Sequence, residues 1–257
     1  MSAVLKTVRR AMLLPVLSVC LWSLPGPATA YECKPELLKD HLQGLSRPDP
    51  RGVPGPTNIG SLKFVLRDYA YCGQYMADFQ KVIDQATTYI EAHKNVTKPA
   101  IVLDIDETSL SNWEEIEQDD FGFLTSGSCS LDQGVGCGDA AWELSARASA
   151  IKPTLELFKN ARLAKIDIFF ITGRHDRPDL REATERNLRD VGYVGYTDLV
   201  MQPKLSATVR GFKAAARKQI QDNGYTIIAN IGDQFSDLDE NPGETQFHVP
   251  NPFYFLP

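Results

Sequence analysis

Basic residues are in the minority: 27 Lys and Arg stand against 33 Asp and Glu, a formal charge of −6 over 257 residues. That balance argues against a protein that grips a nucleic acid polymer or an anionic lipid surface through a broad basic face, and leaves room only for a local anion site. The apolar run Ala11–Leu24 is too short to span a bilayer comfortably, so no stable membrane anchor is expected. No cysteine pair has the close Cys-x-x-Cys spacing that structural zinc favours. With 43% hydrophobic and 23% charged residues, disorder and a collagen-like fibre are excluded, and one domain of ordinary enzyme size is expected.

Lys6, Arg9 and Arg10 precede the apolar run, and Ala28-Thr29-Ala30 follows it. This is the layout of a secretory signal peptide over residues 1–30, cleaved after Ala30. A lipid anchor at Cys20 is the rival, against which the bulky Val19 counts. Cleavage removes three basic and no acidic residues, leaving 24 against 33 and a charge of −9 on the mature chain. It also leaves Cys33, Cys72, Cys129 and Cys137. In a secreted or periplasmic protein an even number reads as disulfides. Cys129 with Cys137 closes a short Gly-rich loop and leaves Cys33 for Cys72.

Residues 46–60 hold four prolines and three glycines, so residues 31–60 are expected to form an extended N-terminal arm. Between Ser61 and His93 apolar residues recur at three and four, predicting one long or two short amphipathic helices. From Pro99 the pattern becomes Ala100-Ile101-Val102-Leu103, a strand buried on both faces. Similar runs at 166–171, 198–201 and 226–231 alternate with helical patterns at 153–164, 178–191 and 206–223. Alternation of this kind predicts an α/β fold, a Rossmann-like open parallel sheet with its ligands at the carboxyl ends of the strands. Residues 113–140, acidic and then rich in Gly, Ser and Cys, interrupt the first crossover and are expected to form a small cap insertion.

The first strand runs into Asp104-Ile105-Asp106-Glu107-Thr108. Three carboxylates so close at the mouth of a hydrophobic strand raise one another's pKa and invite a divalent cation. The second strand ends in Thr172-Gly173-Arg174 and the fourth in Gly232-Asp233-Gln234-Phe235-Ser236-Asp237, with a lysine-bearing helix between them. Each is weak evidence alone. In this order they form a specific constellation.

These segments, together with Phe212-Lys213 and Arg217 and the closing Val249-Pro250-Asn251-Pro252-Phe253-Tyr254, resemble the haloacid dehalogenase superfamily. Within it the likeness is to the secreted acid phosphatases of the class C and plant vegetative-storage-protein type, over most of residues 60–257. The resemblance implies a HAD-like phosphatase domain over 61–257 and hydrolysis of small phosphomonoesters. It makes Asp104 the nucleophile that forms an aspartyl-phosphate and Asp106 the general acid and base. It assigns Thr172, Gly173 and Lys213 to the phosphate, and Mg²⁺ to Asp104, the Asp106 carbonyl and Asp233. Chemistry agrees: a carboxylate nucleophile needs positioning and a cation to meet a phosphate dianion. For Asp106 to be a general acid its pKa must lie above the free value of about 3.9. Lys204 and Lys218 compete with Lys213, Asp237 is expected to orient that lysine, and Glu107 has no role derivable from sequence.

Three rivals remain open. Arg174-His175-Asp176-Arg177-Pro178 partly echoes the signature of histidine acid phosphatases, but it lacks the glycine and its spacing, and His248 is followed by Val249 rather than an acid. A non-enzymatic storage protein of the same fold would be marked by loss of the nucleophile, whereas Asp104 is present. The third is a dehalogenase or phosphonatase of the same superfamily; the first needs no Mg²⁺, and the second needs a Schiff-base lysine in the cap, whereas residues 113–140 contain no lysine.

Overall fold

A computed structural model of the chain describes residues 31–45, 55, 57–204, 208–238 and 245–256. The expected signal segment and nearly all of 46–56 lie outside the described residues. Within the stretch read as an extended arm, Pro35–Gly44 is helical (α1), which corrects that reading. Proline at the first helical position and the Leu37, Leu38, His41, Leu42 spacing suit a short helix, and the proline-rich stretch after it hid that signal. The helical segment that follows is broken in two, α2 (Ile59–Tyr71) and α3 (Gln74–His93). Asn58 caps α2 by accepting from the Ser61 amide at 2.9 Å. Between the helices Gly73 sits at φ +86°, a left-handed conformation that favours glycine.

The main sheet comprises β1 (Pro99–Leu103), β4 (Asp167–His175), β5 (Asp198–Gln202), β6 (Thr226–Gly232) and β7 (Thr245–His248). Their order is β5-β4-β1-β6-β7 and every pairing is parallel. Because side chains alternate, β1 feeds two cores: Ile101 and Leu103 join Phe79, Ile83, Phe158 and Phe170 on one face. Ala100 and Val102 join Phe169, Ala216 and Ile220 on the other. The crossover helices are α6 (Lys152–Leu163), α7 (Pro178–Asp190) and α8 (Val209–Asp222). Prolines stand in the first turn of α6 and α7, and Thr208 caps α8 by accepting from the Gly211 amide at 3.0 Å.

Two features lay outside the sequence expectations. β7 is a polar edge strand without the continuous apolar run of the others. The strands β2 (Leu110–Ser111) and β3 (Ser149–Ala150) pair antiparallel as the stem of the insertion. On that stem stand α4 (Trp113–Gln118), a 3₁₀ turn (Leu131–Gln133) and α5 (Asp139–Ser145). Lys63 and Arg67 of α2 tie the insertion down through Asp120, at 2.6 and 2.9 Å.

Disulfides join Cys33 to Cys72 and Cys129 to Cys137. The first bridges 39 residues and pins the start of α1 to the α2–α3 junction. The double variant Cys33→Ala, Cys72→Ala is therefore expected to lose about 2–5 kcal/mol of stability in urea titration. No helix among the described residues is long and apolar enough to cross a membrane.

Candidate active site

The carboxyl ends of β1, β4 and β6 converge on a cavity of about 320 Å³. Asp104, Asp106, Gly173, Arg174, Lys213 and Asp233 line it. Asp104 leaves β1 with its amide donating to the Ile231 carbonyl at 3.0 Å. The chain then turns sharply: the Ile105 carbonyl accepts from the Ser109 and Leu110 amides, both at 2.8 Å, and the Ser109 hydroxyl donates to the Asp104 carbonyl at 2.7 Å. Glu107 occupies the crest of this turn at φ +51°. Local side-chain bonds hold it there.

Lys213 lies on the buried face of α8 with Ala216, Arg217 and Ile220. Its Nζ donates to Asp104 Oδ1 at 2.6 Å and to Asp237. Burial works against the ammonium, but the two carboxylates outweigh it and hold the proton on. Arg217, one turn on, donates to the Asp237 carbonyl at 2.8 Å, so the Phe-Lys-x-x-x-Arg spacing places two cations on the loop after β6. Lys204 is exposed, and Lys218 pairs with Asp222 at 2.7 Å on the solvent face. A Cβ on Gly232 would collide with the Asp237 side chain, which explains a glycine at the end of β6.

Asp104, Asp233 and Asp237 offer carboxylate oxygens within 4.8 Å of one another, the one such acidic group among the described residues. Burial, then the Asp237 charge, pushes Asp104 and Asp233 up from the ordinary carboxylate range. Asp233 is held by Thr108 at 3.0 Å, Gln234 at 2.6 Å and Asn251 at 2.8 Å. A buried set of hard oxygen donors whose charges repel fits a divalent cation.

Asp106 departs from expectation. Burial raises its proton affinity, yet the Arg174 guanidinium, together with the Asn112 amide and the Lys213 charge, outweighs burial and holds it below the usual carboxylate range. Arg174 Nη2 donates to Oδ1 at 2.6 Å and Nε to Oδ2 at 3.0 Å, a bidentate pair with the arginine side chain 1% exposed. The requirement for a raised pKa is thus not met by these protein groups alone. Sequence could not reveal the pair, because the apolar run of the second strand stops at Ile171, ahead of Arg174; the structure continues β4 through it with a register shift between Thr172 and His175.

Glu107, whose role the sequence did not give, and Asn112, which it did not single out, brace the acidic turn. Glu107 accepts from the Asn112 amide at 2.6 Å, its side-chain amide at 2.9 Å and the Tyr254 hydroxyl at 2.8 Å. Asn112 also donates to Asp106 at 3.0 Å and accepts from the buried Trp142 indole at 2.7 Å. The acidic turn is thereby locked to the insertion and to the carboxyl-terminal segment. Gly173 lines the cavity; Thr172 lies beneath it, fully buried, its hydroxyl accepting from the Arg174 amide at 3.1 Å. His175 is exposed and outside the cavity.

The insertion forms the opposite wall with Glu115, Phe121, Phe123, Asp139 and Glu143. Burial, then neighbouring acids, pushes Glu115 up to about 9 and Asp139 to about 6. Glu143 rises to about 8 through burial, against the opposing pull of Arg174. Carboxyls raised in the native state bind more protons than in the unfolded chain, so stability falls as pH climbs from about 4 toward about 9. Glu115→Gln is expected to flatten that fall and to raise the melting temperature at the alkaline end by roughly 3 °C or more in scanning calorimetry.

An open parallel sheet that gathers a carboxylate cluster and a buried lysine at the carboxyl ends of its strands, beneath an insertion that walls the cavity, places the protein in the doubly wound α/β class. Residues 60–257 match the family described as HAD superfamily, subfamily IIIB (acid phosphatase), and the chain belongs to it, a phosphomonoester hydrolase. It is 30% identical over 195 residues to the stem 28 kDa glycoprotein of Glycine max, covering 74% of this chain and 73% of that protein. It is 30% identical over 204 residues to vegetative storage protein 1 of Arabidopsis thaliana, covering 76% and 70%. In fold it is similar to the class C acid phosphatase from Bacillus anthracis, with a TM-score of 0.60 at 21% identity over 77% of this chain and 86% of that one.

Proposed function

We propose that the protein is a secreted, Mg²⁺-dependent acid phosphatase that hydrolyses small phosphomonoesters through a phosphorylated Asp104. The observation that carries this reading is Asp104 in the cavity at the end of β1, its carboxylate bonded to Lys213 at 2.6 Å and clustered with Asp233 and Asp237. Mg²⁺ would be held by Asp104, Asp233 and the Asp106 carbonyl, with Asp237 beside them, and would relieve repulsion between carboxylates and phosphate.

In the first half-reaction an Asp104 oxygen bonds to phosphorus while the ester oxygen leaves as the alcohol. Lys213 and the Gly173 amide face the phosphoryl oxygens, and the Thr172 hydroxyl keeps a proton to donate. Since Arg174 holds Asp106 ionised in the free enzyme, the proton for the leaving oxygen enters with the substrate, whose monoanion dominates below about pH 6, and Asp106 takes it up and passes it to the leaving oxygen. An acidic optimum follows. In the second half-reaction the ionised Asp106 takes a proton from water, and the oxygen so activated attacks phosphorus and frees Asp104. Disulfides and the expected leader over 1–30 support export.

The test is hydrolysis of p-nitrophenyl phosphate by the mature chain. Activity is expected to vanish on chelation and return with Mg²⁺. Asp233→Asn, which keeps the size but removes a charged ligand, should raise the Mg²⁺ concentration for half-activation about tenfold or more. Full activity in chelator would remove the metal from the proposal.

A further inference from the structure

We infer that the cap wall of the cavity is a subsite for a positively charged leaving group, so that the preferred substrates are phosphomonoesters of amino alcohols. The inference rests on the phosphatase reading and extends it to the substrate.

Asp139 and Glu143 stand four residues apart on α5 and so share a face, and Glu115 on α4 lines the same cavity. Glu115 is 8% exposed, yet its carboxylate has no hydrogen-bond or ion-pair partner among the described residues. The Asp139 carboxylate likewise has none. Glu143 has only a long contact of 3.5 Å with Arg174, whose shorter bonds go to Asp106. The cavity's two basic side chains, Arg174 and Lys213, are thus both engaged by the acids of the strand ends. A carboxylate buried without a partner is costly, so a wall of this kind is relieved by a cation from outside.

What sort of cation follows from spacing and surroundings. The cap acids do not converge as Asp104, Asp233 and Asp237 do, so they do not make a cage for a bare metal ion. Phe121, Phe123 and Ile116 lie beside them and suit methylene groups and the flank of an ammonium. A substrate with phosphate at Asp104 and an ammonium at the end of a short carbon chain satisfies both ends of the cavity. An anionic leaving group meets repulsion from the same wall.

The experiment compares kcat/KM with Mg²⁺ for matched pairs: 2-aminoethyl against propyl phosphate, and 4-aminobutyl against pentyl phosphate. It is run at about pH 7.5 and again at about pH 9, because Asp139 is ionised above about 6 whereas Glu143 and Glu115, raised to about 8 and about 9, carry charge only toward the upper pH or when a bound ammonium displaces their protons. In the longer pair the amine is too remote to alter the leaving oxygen, so a preference there reports the wall. The amine is expected to win by about tenfold in at least one pair. Glu115→Gln and Glu143→Gln should each cut that ratio severalfold, whereas mere structural damage lowers both members of a pair alike and leaves it intact. Ratios near one in the parent protein, or ratios untouched in both variants, overturn the inference while the phosphatase reading stands. If neither p-nitrophenyl phosphate nor any of the four esters is hydrolysed, the phosphatase reading fails and takes this inference with it.

Discussion

Asp104→Asn is expected to abolish phosphomonoester hydrolysis, by at least about 10⁴-fold in kcat, while His175→Ala keeps most of it. An amide at position 104 is nearly isosteric with the carboxylate but is no nucleophile toward phosphorus, and removing a covalent nucleophile costs factors of this size. His175 is exposed at the end of β4 and lies outside the cavity. Its loss should therefore touch neither chemistry nor binding. Quenched single-turnover mixtures should hold an acyl-phosphate that hydroxylamine cleaves, in contrast to a phosphohistidine, which acid breaks and alkali spares. The reverse outcome would move the mechanism to histidine. A parent protein inert toward every phosphomonoester despite bound Mg²⁺ would favour the storage reading that the vegetative storage relative suggests.

The parts of this design that were legible in the sequence share one physical property: they lie where burial is continuous or chemistry is local in the chain. β1, β4, β5 and β6 are covered on both faces and so read as unbroken apolar runs. The acids after β1 and β6 stand out because charge directly after such a run is unusual. β7 was hidden, since an edge strand of the sequence Thr-Gln-Phe-His needs no apolar run, and α1 was masked by the prolines beyond it. The Arg174–Asp106 pair spans 68 residues and the Glu107–Tyr254 bond 147. No local pattern encodes either partner choice. Asn112 shows the same limit. A single asparagine ahead of an acidic helix looks like an ordinary cap, yet its side chain joins Asp106, Glu107 and Trp142 in one network.

That network bears on the proton, and Asp106→Asn should divide substrates by leaving group. A simple alkoxide leaves poorly without a proton, whereas nitrophenolate leaves well unaided, so the phosphorylation step should fall by about 10²–10⁴-fold for an alkyl phosphate and far less for p-nitrophenyl phosphate. Asparagine keeps the backbone carbonyl proposed to face Mg²⁺, so metal affinity should change little. Arg174→Gln supplies the complementary comparison. Without the guanidinium, burial is opposed only by the Asn112 hydrogen bond and the Lys213 charge, so the Asp106 pKa rises, Asp106 holds a proton over a wider range, and the alkaline limb for the alkyl ester should move to higher pH. The same change leaves Glu143 without its 3.5 Å contact. Thermal melts of the variant are therefore read alongside the rates, to separate loss of fold from a moved limb. Equal losses for alkyl and nitrophenyl esters in Asp106→Asn, measured in single turnovers, would remove Asp106 from proton transfer and leave it as a residue that positions Arg174.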